Sequence, residues 1–182
     1  MIKREDALNL VKDNVKNKNL VKHMLACEAC MEKLAEHFDK DTARWGIAGL
    51  LHDLDYPETA DNPDRHGYET VEKLKEHDVD EGILNAILAH PGHKDRETLI
   101  EQCLYSVDPL TGLIVASTLM HPEKKLDSVD RSFVMRRFDE KRFAAGADRD
   151  QIRAIESTGL TLEEFVDICL GAMQGISGEL GL

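Results

Sequence analysis

The chain has 182 residues, 35 Asp or Glu against 23 Lys or Arg, and a net charge of −12. That length suits one domain with a real hydrophobic core. The acidic balance excludes a nucleic-acid polymer or an anionic membrane as the main partner, since both attract basic surfaces. Five prolines and few aromatics, among many Leu, Ala, Glu and Lys, favour helix over sheet, so the expected fold is all-α.

In chain order, residues 4–15 read as a short helix with Ala7, Leu8, Val11 and Val15 apolar. A longer helix over about 18–38 has its inner stripe at Leu20, His23, Cys27, Met31, Leu34 and Phe38, which puts His23 on the core face. Asp39-Lys40-Asp41 breaks the pattern. The next helix, about 41–53, buries Ala43, Ile47 and Leu50 and then ends in His52-Asp53-Leu54-Asp55. A core-facing helix has no packing reason to finish in charge, because buried charge is costly unless paired or bound to metal.

Residues 54–63 read as an acidic loop with two prolines. A helix is expected from Pro63, a good first-turn residue, with His66 in its first turn. The helix over about 80–90 carries Ile83, Leu84 and Ile87 inward and ends at His90, where a histidine also suits the helix dipole. Pro91-Gly92 stops it, and His93 follows in a loop.

A helix over about 95–107 then meets Asp108-Pro109. In isolation Asp108 reads as an N-cap, with Pro109 opening a second apolar helix that runs from Leu110 to Met120. Split in this way, no run approaches the length needed to span a bilayer. Residues 123–142 hold seven Lys or Arg against five acids, a solvated face or an anion-attracting rim. Two more helices, 147–157 and 161–177, complete the chain, the last opened by the capping box Thr161-x-x-Glu164.

The four cysteines, Cys27, Cys30, Cys103 and Cys169, lie in apolar helical patterns and are expected as buried thiols in a reducing compartment. With no signal-peptide stretch after Met1, the expected location is cytoplasmic. Cys27-x-x-Cys30 lacks the second pair that a zinc site would need.

Taken together, His23, His52, Asp53 and Asp108 supply two imidazoles and two carboxylates from separate helices, which a bundle core can bring to one ion. Such mixed donors suit divalent transition metals (Fe, Mn, Ni, Co or Zn) better than calcium. If Asp53 bridges, His66 and His90 can hold a second ion.

This ordered set resembles the HD superfamily of metal-dependent phosphohydrolases, especially its small HDIG-type single-domain members. The family pattern of His, then His-Asp, then Asp on an all-helical core is matched by His23, His52-Asp53 and Asp108. Ala48-Gly49-Leu50-Leu51 before the pair and Leu54 after it are also typical. Two-metal members add two histidines in between, matched by His66, in Arg65-His66-Gly67, and by His90. The resemblance covers about residues 18–120, leaving 123–182 to pack on the core or shape a pocket.

The resemblance implies a helical bundle, one or two divalent ions and hydrolysis of a small phosphorylated substrate, a phosphate ester or nucleotide, through a metal-activated water. Asp53, Asp55 and His93 are candidates for the chemistry, and Glu58 is a weaker one. Lys94 and Arg65 are candidates for substrate contact. A homodimer is compatible with this reading.

Where many HDIG proteins continue with Ile-Gly-Lys, this chain has Leu54-Asp55-Tyr56, so a phosphate-contacting lysine is missing. His90-Pro91 replaces the paired histidines of the cyclic-dinucleotide phosphodiesterases, whose Gly-Tyr-Pro signature is absent too. The segment around Asp108 differs from relatives that cleave diadenosine tetraphosphate. Mixed-valent di-iron oxygenases on the same fold resemble the ligand set as well, and HD-like domains without catalysis are a third class.

Overall fold

The computed structural model describes residues 1–182 and contains helices and turns but no strand. Its α-helices are α1 (Arg4–Asn14), α2 (Lys18–His37), α3 (Thr42–Leu51), α4 (Tyr56–Thr59), α5 (Tyr68–Leu74), α6 (Glu81–Ala89), α7 (Leu99–Met120), α8 (Arg131–Asp139), α9 (Arg149–Arg153), α10 (Leu162–Gln174) and α11 (Ser177–Leu180). Short 3-10 turns lie at Pro63–Arg65, Leu126–Ser128 and Ala154–Thr158. One continuous hydrophobic cluster runs from Ile2 to Leu180, so the C-terminal helices share the core of the motif-bearing ones.

The helix starts follow local chemistry. Asn17, Asp41, Asp80, Asp130 and Asp148 each accept backbone N–H groups at the start of a helix, satisfying donors that have no intrahelical partner. Thr161 and Glu164 form the expected capping box of α10.

Helix α3 lies against α2 at very close range, and Gly49 is the reason. A Cβ there would sit 2.6 Å from the Cys27 carbonyl oxygen, a distance no side chain tolerates. The contact sets the end of α3, and with it His52, beside the α2 residue His23.

Three expectations are corrected. The helix expected from Pro63 begins only at Tyr68, because Pro63–Arg65 is a single 3-10 turn and Gly67 takes φ +83°. That left-handed value favours glycine, and it leaves His66 in extended backbone ahead of α5. The loop 54–63 also contains the short helix α4.

The break expected at Asp108-Pro109 does not occur, and α7 runs through Pro109 without interruption. Proline removes the N–H that would reach the carbonyl four residues earlier, here that of Tyr105. The side chain of Gln151 donates to that carbonyl at 2.7 Å, and Ser106 Oγ donates to the Gln151 carbonyl at 2.9 Å. A partner from α9 therefore satisfies the group that proline orphans.

The third correction follows from the second. The fused α7 is long and apolar enough to cross a membrane, against the expectation that no run is. However, 56% of its most apolar stretch is buried inside the protein, as befits a central core helix. All four cysteines are buried free thiols, as expected.

Candidate metal centre

Four helices deliver the predicted donors to one place. His23 comes from the first half of α2, His52 and Asp53 from the end of α3, His90 from the end of α6 and Asp108 from the middle of α7. His66 arrives from the turn before α5. His23 Nε2 lies 3.2 Å from His52 Nε2, 3.2 Å from Asp108 Oδ1 and 3.6 Å from Asp53 Oδ2. His52 Nε2 is 3.4 Å from Asp53 Oδ1 and 3.9 Å from Asp108 Oδ1. On the other side, Asp53 Oδ1 lies 3.3 Å from His66 Nε2 and 3.6 Å from His90 Nε2, and these two nitrogens are 3.0 Å apart.

Asp53 thus stands at the middle of the cluster, with Oδ2 towards His23 and Oδ1 towards His66 and His90. The carboxylate can serve both halves.

All four imidazoles point Nε2 inward, and each Nδ1 has a partner behind it. His52 Nδ1 donates to the Gly49 carbonyl at 2.8 Å and His90 Nδ1 to the Ile87 carbonyl at 2.6 Å. His66 Nδ1 meets Asp55 Oδ1 at 2.8 Å. His23 Nδ1 lies 3.0 Å from Thr111 Oγ1, whose own hydroxyl donates to the Asp108 carbonyl. A hydrogen bond at Nδ1 places the proton there and leaves the Nε2 lone pair for a metal.

This donor set fits divalent cations. Metal–ligand bonds of about 2.0–2.2 Å put neighbouring donors on one ion about 3–3.5 Å apart, close to the spacings here. Without a positive charge between them, the facing lone pairs of His23 and His52, or of His66 and His90, would repel.

The electrostatics agree. Burial, opposed by Asp53, pulls His52 down to about 4, so its ring is neutral and free to ligate. Burial alone would raise the Asp53 carboxyl, but the neighbouring His52 and hydrogen bonds from His66 and His90 hold it well below its usual range. At Asp108 burial is likewise outweighed, chiefly by the hydrogen bond to His23, and the carboxyl is lowered. Two rings run the other way: at His23 burial is outweighed by Cys27 and by the hydrogen bond to Asp108, which raise it well above its ordinary value, and His66 is raised as well. Burial would depress it, yet hydrogen bonds to Asp53 and Asp55 raise it to about 9.

The other predicted residues do not join the cluster. Asp55 is fully buried behind His66. Its Oδ2 accepts the N–H groups of Gly67 at 2.7 Å and Thr70 at 3.0 Å. It backs the His66 ring from behind and lies outside the gap between the inward-facing donors. His93 Nε2 donates to the His66 carbonyl at 2.8 Å while its ring packs on Tyr68. Lys94 pairs with the buried Glu101 at 2.8 Å, Arg65 with Glu69, and Glu58 with Lys73 at 2.7 Å. Each is committed to a protein partner, and none converges with the six donors. In the basic stretch, Arg131 pairs with Asp167 and Arg137 with Glu140, so part of it is a paired surface.

Sequence reasoning missed the supporting residues Thr111, Thr70 and Gly67. Glycine after His66 was the one available signal. Cys27, expected as a buried core thiol on the His23 stripe, also adjoins the cluster, its Sγ 3.7 Å from both His23 Nε2 and Thr111 Oγ1.

No curated protein and no solved structure matches the chain. A family model, the HD domain, matches residues 20–149, a span that contains all six clustered donors. With that match over most of its length, and with His23, His52-Asp53 and Asp108 meeting as the family pattern requires, the chain belongs to the HD domain family.

Proposed function

We propose that this protein is a metal-dependent phosphohydrolase acting on a small phosphate ester or nucleotide through a metal-activated water. The observation that carries the reading is Asp53, one buried carboxylate within 3.6 Å of four inward-facing imidazole nitrogens. His23, His52, Asp53 and Asp108 would hold one ion, and Asp53, His66 and His90 a second. Two divalent ions about 3.5–4 Å apart lower the pKa of water and neutralise the oxygens of an in-line displacement at phosphorus.

The chain's own residues supply the rest. Asp55 holds the His66 ring so that Nε2 faces inward. Thr111 does the same for His23. The buried shell of Leu50, Leu51, Leu54 and Ile87 keeps water from the back of the centre, which strengthens each charge interaction there. Asp108, with its side chain 30% exposed, and the partly exposed His23 form the edge that a substrate phosphate can reach. The acidic surface suits a small anion drawn by metal over a polyanionic polymer. Four free buried thiols accord with a reducing, cytoplasmic setting.

The test is metal analysis of protein purified without oxygen, followed by phosphate release from a broad phosphoester panel with Fe, Mn, Co, Ni or Zn. Phosphate release that disappears in His52→Ala and Asp53→Ala together with the metal supports the reading. Protein that binds its metal yet leaves the whole panel untouched overturns it. Oxygen uptake with a hydroxylated product would assign the oxygenase class instead.

A further inference from the structure

Gly112 lies in the middle of α7, four positions after Asp108. A glycine inside a helix destabilises it relative to alanine, because its backbone loses more freedom on folding. Packing gives no reason for it, since an added Cβ would meet no atom within 4 Å, unlike the one at Gly49.

What Gly112 borders is open space on two sides. One hollow of about 430 Å³ lies between α2, α7 and residues 180–182. A second, of about 330 Å³, lies over Asp108 and Pro109, beneath Ala144, Gly146 and Ala147. His23 and Gly112 line both. The hollows therefore adjoin one another beside His23, at the accessible edge of the metal centre, with Gly112 between them.

The chemistry of the walls is selective. The larger hollow is faced by Ala26, Val115, Leu119 and Leu180, has Lys22 as its cation and is lined by no Asp or Glu side chain. No Phe, Tyr or Trp lines either hollow. Proteins that hold nucleobases typically offer aromatic faces for stacking. Aliphatic walls beside one ammonium group and a metal centre suit an anionic head on a saturated carbon body. The volume is within the range of small-molecule sites.

We propose that these adjoining hollows hold the substrate's carbon body, that the substrate is a phosphate monoester of a short aliphatic alcohol rather than a nucleotide, and that Gly112 sets how large that body can be. The inference takes the phosphate end from the phosphohydrolase reading, but its test needs no turnover.

Metal-loaded protein is titrated by calorimetry with methyl-, propyl- and pentylphosphonate, whose carbon–phosphorus bond resists hydrolysis, and with adenosine 5′-monophosphate. Binding should tighten about fourfold per added methylene until the space is full, and pentylphosphonate should bind more tightly than the nucleotide. Gly112→Val should flatten the chain-length gain with metal content unchanged. Gly112→Ala should do so in part while being at least as heat-stable as the parent, and it carries the test alone if the valine variant misfolds. Lys22→Gln should weaken all phosphonates by a similar factor and keep the slope.

A flat chain-length series, tighter nucleotide binding, indifference to both Gly112 variants or no phosphonate binding at all would each overturn the proposal. Loss of hydrolysis with the slope intact would sink the enzymatic reading alone. Hydrolysis with a flat slope would sink only this inference.

Discussion

Asp55 Oδ1 lies 2.8 Å from His66 Nδ1, so the second aspartate of the His52-to-Asp55 run holds a histidine from a different turn of the chain. Its other oxygen accepts two backbone N–H groups, those of Gly67 and Thr70. One carboxylate thereby fixes both the ring and the backbone that carries it. Asp55→Asn places an NH2 group where acceptors are needed. The affinity for the second ion should fall about 10–100-fold, and stability by about 1–3 kcal/mol. Metal titration against a chelator and thermal denaturation measure the two effects. A variant that binds both ions as tightly as the parent would show that Asp55 does not orient His66.

Asp53 is shared between the two halves of the centre, and single substitutions can reveal the sharing. Asp53→Ala should empty both positions, whereas His66→Ala or His90→Ala should leave one ion on His23, His52 and Asp108. Elemental analysis of the purified variants reads the stoichiometry directly. An Asp53→Ala protein that retains two ions would refute the bridging role.

The raised proton affinity of His66 gives a pH dependence with a defined sign. In the metal-free protein its pKa of about 9 lies above the ordinary 6.5. The resulting stabilisation is fully present below pH 6.5 and is lost as pH rises through 9. An ion bound at His66 must displace that proton, so its affinity should rise with pH, by about tenfold per unit for one proton, and level off near pH 9. Thermal melts of metal-free and loaded protein between pH 6 and 9.5 should therefore diverge. Parallel curves would argue that His66 carries no displaced proton.

Pro109 and Gln151 form a compensating pair around the Tyr105 carbonyl. Gln151→Ala should cost about 1 kcal/mol by removing the partner of that half-buried acceptor. The same change in a Pro109→Ala background should cost less, because alanine restores the helical N–H. A double-mutant cycle in urea measures the difference. Additive effects would mean that the two residues act independently.

Much of the metal centre was legible from residue order. His90 and Asp108 each have an ordinary local explanation, as a helix-end partner and an N-cap, but the core-facing helix that ends in His52-Asp53 does not, and the order of His23, His52-Asp53 and Asp108 follows a known pattern. The all-helical class was legible from periodicity. The unbroken α7 was not. Asp-Pro is a strong local signal for a helix start, and it is overridden here by a hydrogen bond from Gln151, 46 residues away in sequence from Tyr105. Nor was the true place of Asp55 legible, since a carboxylate two positions after a ligand reads as a partner in the chemistry until its own neighbours are known.

By itself the sequence determined which donor residues this protein owns, and that apolar helices carry His23 and the His52-Asp53 pair towards the core. These follow from local periodicity and side-chain chemistry, which act over a few residues. Only the tertiary structure decided that Asp53 stands between the two sets of histidines, which acceptor fixes each ring, that Lys94 and Arg65 are already paired, and that open space meets the centre at Gly112. Those outcomes depend on how close helices approach one another, and that distance is set by contacts such as Gly49 against Cys27, between residues far apart in the chain.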